Sequence, residues 1–368
     1  ANFVMKNIKT LSKKKDKFLI DGTNIHKHPR VSLEDKITFL KNTQTYPEKP
    51  NQVNVIETHM SWVFLTQNFV YKFKKPVKSD SIDYTTLLKR EKNCHSEVLL
   101  NKRLALDVYL GIVPITVDKN GNLALHGKGE VVECLVKMRR LPSNRMLNYA
   151  IEKQTIKEID VSNFTKVLTE FYIEAEQIRI SSDAYCSRFE KGILKNCEEL
   201  LSPQYNLSKS LINSITTAQL NFLAKHSEDL AQRAINNQII EAHGDLRPEH
   251  ICLLEEPAII DCLEFSRELR ILDPVDELSF LALECERLGS SFVGKRVLEI
   301  YSNTTSDYPP TKLIYFYKIY RACVRAKLAI WHLKDNQVLD HAKWVDRTNE
   351  YLNIAKKYVH KLNLAEHA

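Results

Sequence analysis

Residues 243–261 constrain this chain more tightly than any other stretch: His-Gly-Asp-Leu-Arg-Pro-Glu-His, two short apolar runs parted by Glu255-Glu256-Pro257, then Ile259-Ile260-Asp261. Gly244 lets the backbone turn sharply beside Asp245. The runs at 251–254 and 258–260 flank a turn signal and predict a hairpin. A hairpin of that length returns Asp261 to the loop where it started. Asp245, His250 and Asp261 are therefore expected around one space, the size of a hydrated metal ion and a triphosphate. The plainer alternative is a surface hairpin with solvated acids. It requires His-Gly-Asp, the five-residue offset from Asp245 to His250 and Ile-Ile-Asp to coincide by chance.

Such a constellation suits phosphoryl transfer, which needs metal to bridge phosphates, a carboxylate to orient the acceptor hydroxyl and a lysine on the phosphate tail. At these residues the chain resembles the aminoglycoside phosphotransferase-like branch of the protein-kinase-like fold, within it a bacterial group of uncharacterised small kinases. The resemblance implies an α+β, bilobal architecture: a small β-rich N-lobe with one helix and a large, mainly helical C-lobe. It also implies ATP or GTP with Mg²⁺ as cofactors, Asp245 as base with His243 and Arg247 beside it in the catalytic loop, and metal held by Asp261 and His250. Relatives most often carry asparagine where His250 stands, and magnesium prefers oxygen to imidazole nitrogen. His250 then works through a water, or Mn²⁺ replaces Mg²⁺, or metal binding is weak.

Upstream, residues 61–66 and 69–74 alternate about a Gln-Asn turn and predict a hairpin with one buried face. Lys72 and Lys74 share a face. The resemblance picks Lys72 as the phosphate-binding lysine, while Lys74 and Lys75, just before Pro76, read as edge residues. Residues 86–106 predict an amphipathic helix on which Glu97 is the candidate partner of Lys72, with Glu91 as rival and solvent exposure as the plain alternative for both. Residues 53–56 read as the first strand and 57–60 as the turn over the phosphates. With 9 glycines in 368 residues the chain has no glycine-rich loop. Side chains of Thr58, His59 or Ser61 would substitute, unless they bond only their own backbone. Residues 131–138 predict a strand whose end, 138–142, forms a hinge that places Met138 against the adenine.

These assignments divide the chain into an N-terminal extension (1–50), an N-lobe (51–140) and a C-lobe (141–368). In the last, 162–177, 188–201 and 214–235 show helical spacing. Asp273-Pro274 opens another helix, closed by Gly289. Asp276 in its first turn matches, by resemblance, an aspartate that braces the catalytic loop. On a predicted helix at 311–334, Lys318, Arg321, Arg325 and Lys327 share a basic arc. If it lines the cleft, the acceptor is anionic rather than polycationic.

The 8 cysteines form no Cys-x-x-Cys pair, which excludes a zinc ribbon or disulfide framework and favours a reducing, cytoplasmic compartment. No 18-residue apolar run exists, and residues 1–16 are lysine-rich without a hydrophobic core, so neither membrane span nor secretory signal is indicated. Residues 1–92 hold 18 Lys and Arg against 9 Asp and Glu, the rest 35 against 37. The basic excess includes Lys13-Lys14-Lys15, read as a solvated tail, since no nucleic-acid module accompanies it. The leading function is nucleotide-dependent phosphorylation of a hydroxylated small metabolite. The alternatives are a kinase of a protein or RNA docked on the basic N-lobe, and a pseudokinase scaffold suggested by His250 and the missing glycine loop. Oligomeric state is not legible.

Overall fold

In the computed structural model, residues 31–79, 82–334 and 340–366 are described; the Lys13–Lys15 tail lies outside them. Helix α1 (Leu33–Lys41) begins at a capping box in which Ser32 and Asp35 satisfy each other's backbone N–H groups. The strands β1 (Asn54–Glu57), β2 (Ser61–Leu65), β3 (Phe69–Lys74), the short pair β4 (Lys78–Ser79) and β5 (Ile82–Asp83), helix α2 (Leu87–Asn101), and strands β6 (Tyr109–Val117), β7 (Leu123–Leu125) and β8 (Glu130–Arg139) follow. Six of the strands form one antiparallel sheet in the order β1-β2-β3-β8-β6-β7.

Alternation along β3 decides what each face of that sheet does. Phe69, Tyr71 and Phe73 point into a core shared with Leu40 and Tyr46, so the segment from residue 31 to residue 50 belongs to the small lobe's core instead of trailing from it. Lys72 and Lys74 point the other way, beneath α2. A second apolar cluster joins α2 and β8 to the large lobe: Cys94, Tyr109 and Val136 pack with Cys252 and Ala258, and Met138 lies against them.

The large lobe comprises α3 (Leu147–Glu152), α4 (Glu158–Glu174), α5 (Ser182–Leu200), α6 (Lys209–Ile235), the short strands β9 (Ile240–Glu241), β10 (Ile251–Cys252), β11 (Ala258–Ile259) and β12 (Ile271–Leu272), then α7 (Pro274–Arg287), α8 (Ser291–Thr305), α9 (Thr311–Ile330) and α10 (His341–Glu366). The hairpin expected at 251–260 forms as β10 against β11, and β9 pairs with β12. Asp273 caps α7 with Pro274 at its first position, as the sequence predicts. Helix α9 ends at Ile330, and residues Trp331–Lys334 tighten into a 3₁₀ turn, four residues short of the predicted helix end.

Arg233 fastens three parts of this lobe. Its guanidinium makes a two-pronged contact with Asp273 (2.7 and 2.8 Å) and another with Asp307 (2.6 Å), while the Tyr317 hydroxyl also donates to Asp273 at 2.9 Å. Asp273 is fully buried. Arg233→Met leaves that charge without its cation and is expected to lower unfolding stability by roughly 3–5 kcal/mol in urea titrations; a loss under about 1 kcal/mol would mean the triad is not structural.

Candidate active site

Lys72 and Lys74 meet a set of carboxylates drawn from both lobes. Lys72 Nζ lies 2.9 Å from Glu97 Oε1 and 3.0 Å from Asp261 Oδ1, while Lys74 pairs with Glu97 and Glu264. Glu97 sits on α2, capped at its start by Thr86, and is wholly buried. Burial raises its pKa, but Lys72 and then Lys74 outweigh that and hold it below its ordinary value. The same balance depresses Asp261, where burial is overcome by Lys72 and His250, and raises Lys72 through Asp261 and Glu97. Lys72, Lys74, Glu97 and Asp261 are therefore charged at neutral pH. Asp261 is the most exposed member of the group (45% by side chain).

The loop 243–250 is built from its own side chains. Gly244 has φ +90°, and a Cβ there would press on Arg270 and Leu263 at 3.0 Å, so only glycine fits. His243 is fully buried. Its Nε2 donates to the Ile260 carbonyl (2.9 Å), and its Nδ1 accepts from the Asp245 N–H (3.3 Å). It thus ties the loop to the segment after β11 that carries Asp261, and it faces inward. Burial pushes its pKa down to about 4. Arg247 Nε donates to Asp245 Oδ2 at 3.1 Å, and Arg247 Nη2 donates to His250 Nε2 at 3.0 Å. His250 Nδ1 donates to the Asp245 carbonyl at 2.8 Å, which fixes the tautomer and leaves the Nε2 lone pair facing Arg247 and, 3.5 Å away, Asp261 Oδ2. Although burial opposes it, Arg247, followed by His250 and Arg325, keeps Asp245 below the usual carboxylate range. Among the described residues no hydrogen bond is made to its Oδ1.

What supports this loop from beneath is Glu277, not the expected Asp276. Glu277 accepts from the N–H groups of Gly244 (2.6 Å) and His243 (3.2 Å) and from the Tyr172 hydroxyl (2.8 Å). Asp276 instead forms a two-pronged pair with Arg321 at 2.7 and 2.5 Å. Neighbours on the first turn of a helix point about 100° apart, so one position separates a loop anchor from a helix–helix tie.

Three of the four cations in the basic arc on α9 are paired with acids inside the fold. Besides Arg321 with Asp276, Arg325 lies 3.3 Å from Glu284, Lys318 donates to Tyr358 at 2.8 Å beside Glu286, and Lys327 lies over the Trp331 ring. The charge expected to attract an anionic acceptor is paired within the fold. In the turn between β1 and β2 the Thr58 hydroxyl donates to the Ser61 carbonyl and accepts from the Ser61 N–H, both at 3.0 Å, and Ser61 is buried. Both are engaged in the turn itself, and His59 alone of the three is an exposed side chain without such a bond among the described residues. Met138, the last residue but one of β8, lies half-buried against the cluster between the lobes.

Lys74 is the largest correction among the residues read from sequence: it is 1% exposed, not an edge residue. Its shared face with Lys72 was a usable signal, as was Glu264 three residues beyond Asp261. Asp261 and His250 could offer an oxygen and a nitrogen to a metal, and among the described residues no group of three or more His, Cys, Asp or Glu is arranged to hold an ion alone. The donor set suits a metal completed by phosphate oxygens and water, provided Arg247 releases His250 Nε2.

No family model matches the chain. It is 33% identical over 279 residues to uncharacterised proteins of Mycobacterium tuberculosis and Mycobacterium bovis, a span of 75% of this chain and 54% of theirs, so it spans about half the length of the curated relatives it matches. Among solved structures it is similar to a choline/ethanolamine kinase family protein from Mesorhizobium loti (TM-score 0.51, 13% identity, 89% of this chain and 99% of that one). Choline kinase LicA from Streptococcus pneumoniae gives TM-score 0.50 with 17% identity over 88% and 99%, and choline kinase from Cryptosporidium parvum 0.52 with 12% over 89% and 96%. The fold is therefore protein-kinase-like, an antiparallel N-terminal sheet followed by a mainly helical region, as in these small-molecule kinases. No helix among the described residues is long and apolar enough to cross a membrane.

His243 carries a pH signature. Its pKa of about 4 in the fold lies below the unfolded value near 6.5, so unfolding takes up a proton as pH falls between them. The stability it contributes is complete above about 6.5 and lost towards 4, roughly 3 kcal/mol in all. His243→Gln is expected to be less stable at pH 7.5 but to lose less between pH 6.5 and 4.5 than the parent in urea titrations. Parallel slopes would refute the assignment.

Proposed function

We propose that this chain is an ATP- or GTP-dependent phosphotransferase that moves the γ-phosphate to a hydroxyl of a small metabolite. The observation that carries the reading is the meeting of Lys72, Glu97, Asp261, His250 and Asp245, contributed by β3, α2 and the hairpin loop, around one cleft between the lobes. A half-buried lysine held by a helix glutamate, an aspartate partly open to the cleft and a second aspartate beside an arginine form the set that phosphoryl transfer asks of a protein. The similarity of fold to a LicA structure in complex with AMP agrees with nucleotide in that cleft.

In this reading Lys72 leaves Asp261 to hold the phosphate tail and stays oriented by Glu97. Asp261 and His250 would hold a divalent metal, whose positive charge would offset the charge that builds on the phosphates. Asp245, kept ionised by Arg247, takes the acceptor hydroxyl on its unengaged Oδ1. As the hydroxyl oxygen bonds to the γ-phosphorus, the bond to the nucleoside diphosphate breaks and the proton passes to Asp245. Because Arg247 holds its pKa below the ordinary carboxylate value, Asp245 acts chiefly by orienting the hydroxyl. His243 and Glu277 keep the loop in shape and touch neither substrate. The paired cations of α9 remove the reason to expect an anionic acceptor, and the reading is of a hydroxylated acceptor with no charge assigned.

Calorimetric titration with ATP and with GTP, each with Mg²⁺, with Mn²⁺ and with metal chelated, tests the first half without knowledge of the acceptor. Metal-dependent binding is expected, and no binding under any condition sinks the reading in favour of a scaffold. Asp245→Asn should retain nucleotide binding while turnover falls by roughly 10² to 10⁴. Asp261→Asn should lose the metal-dependent part of binding. If both variants turn over substrate like the parent, these roles are wrong.

A further inference from the structure

We infer that Asn101 and Tyr109 are positioning residues, which hold the Asp261 backbone from the small lobe and fix it to the same body that keeps Lys72 paired with Glu97. Asp261 has φ +61°, a left-handed conformation that a residue with a Cβ adopts at a cost and keeps only where surrounding groups determine it. Here two successive N–H groups are taken by side chains from the other lobe. The Asp261 N–H donates to the Tyr109 hydroxyl at 3.1 Å, and the Cys262 N–H donates to Asn101 Oδ1 at 2.8 Å. Asn101 and Tyr109 are 0% and 1% exposed, so these bonds meet little competition from water.

Asn101 does more than accept. It closes α2 one turn after Glu97, and its Nδ2 donates to the Glu97 carbonyl at 2.9 Å. One side chain thus spans from the helical turn that presents Glu97 to the peptide that follows Asp261. The connector leaving α2 adds to the attachment: Arg103 donates to the carbonyls of Glu241 (2.9 Å) and Ala242 (3.0 Å), just ahead of the loop 243–250, and the Leu104 carbonyl accepts from Ile259 N–H at 3.2 Å. Glu97 cannot withdraw from Lys72 by movement of α2 without breaking the bonds that set Asp261. The lysine–glutamate pair and the aspartate are consequently assembled together, before nucleotide arrives. The hydrogen-bonding part of this inference stands on the chain alone; its functional part rests on the reading of Asp261 as a metal ligand.

The test uses the full chain with Tyr109→Phe, which removes one oxygen and keeps the ring, and Asn101→Leu, which removes both amide contacts. In metal-free protein, amide-resolved hydrogen exchange should be at least about tenfold faster at Asp261 in Tyr109→Phe and at Cys262 in Asn101→Leu, with β8 amides unchanged. In titrations of Mg²⁺ and Mn²⁺ into protein with ATP, the apparent metal affinity should weaken by about 10- to 100-fold while metal-free ATP binding stays at the parent value, the usual consequence of losing a group that orients a ligand. Asn101→Asp, which keeps an acceptor for Cys262, should restore protection at that amide. Unchanged exchange at Asp261 in Tyr109→Phe overturns the inference. So does parallel weakening of metal-free and metal-dependent binding, since that reports a loosened lobe. Should the parent bind no ATP with either metal, the phosphotransferase reading fails, and the exchange rates alone decide whether these side chains hold Asp261.

Discussion

Lys72 and Lys74 bring two ammonium groups beneath α2, where Glu97 is wholly buried and Glu264 nearly so, and neither sign of charge could remain there alone. Removing one partner of such a pair strands the other at a cost of roughly 3–5 kcal/mol, which is what makes the arrangement an all-or-none constraint on the chain. The carboxylates come from different places: Glu97 from the small lobe, Asp261 and Glu264 from the segment after the hairpin. Satisfying the two lysines therefore draws the lobes together along one line. The apolar cluster of Tyr109, Val136, Cys252 and Ala258 follows that line and gives the contact its area.

The large lobe answers with a second set of ties. Glu277 takes the backbone of the loop 243–250, Arg233 gathers Asp273 and Asp307, and Arg321 takes Asp276. All three start from the beginning of α7 or from what packs on it. The N-terminal turn of that helix favours negative charge through its unpaired N–H groups. It hosts three acids in a row of five residues and distributes them to three separate partners. The position of the 243–250 backbone is thus inherited from the packing of α7 against α8 and α9 and from the tie of Asp273 to Arg233 of α6.

How much of this the sequence disclosed depends on the range of the interaction. Local patterns were legible: the hairpin after His250, the alternation along β3, the cap at Asp273 and the helix that carries Glu97. Each is decided by residues a few places apart. The resemblance of the His-Gly-Asp segment to known kinases supplied the bilobal fold, which no periodicity could have given. Partner choice was less legible. Lys74 reads as an edge residue because it stands two places before Pro76, yet Glu97 and Glu264, distant in sequence, cover it. Asp276 and Glu277 are adjacent acids with opposite fates, and only the direction of the helix axis tells them apart. Arg321 and Arg325 look like a field for an anion until α7 and α10 are laid beside them. Thr58 and Ser61 close on each other, a choice that short-range chemistry allowed and could not rank.

The pairing of α9 has a consequence for how such a site can change over time. Arg321 and Arg325 each hold a buried carboxylate on α7, so replacing either one alone exposes the fold to an uncompensated charge, and the loss must be matched by a second change on the facing helix. Two simultaneous steps are rare in sequence drift. Drift that proceeds one substitution at a time is therefore channelled away from this helix face and onto side chains that carry no internal partner, and the face of α9 turned to α7 is expected to be slow to diversify.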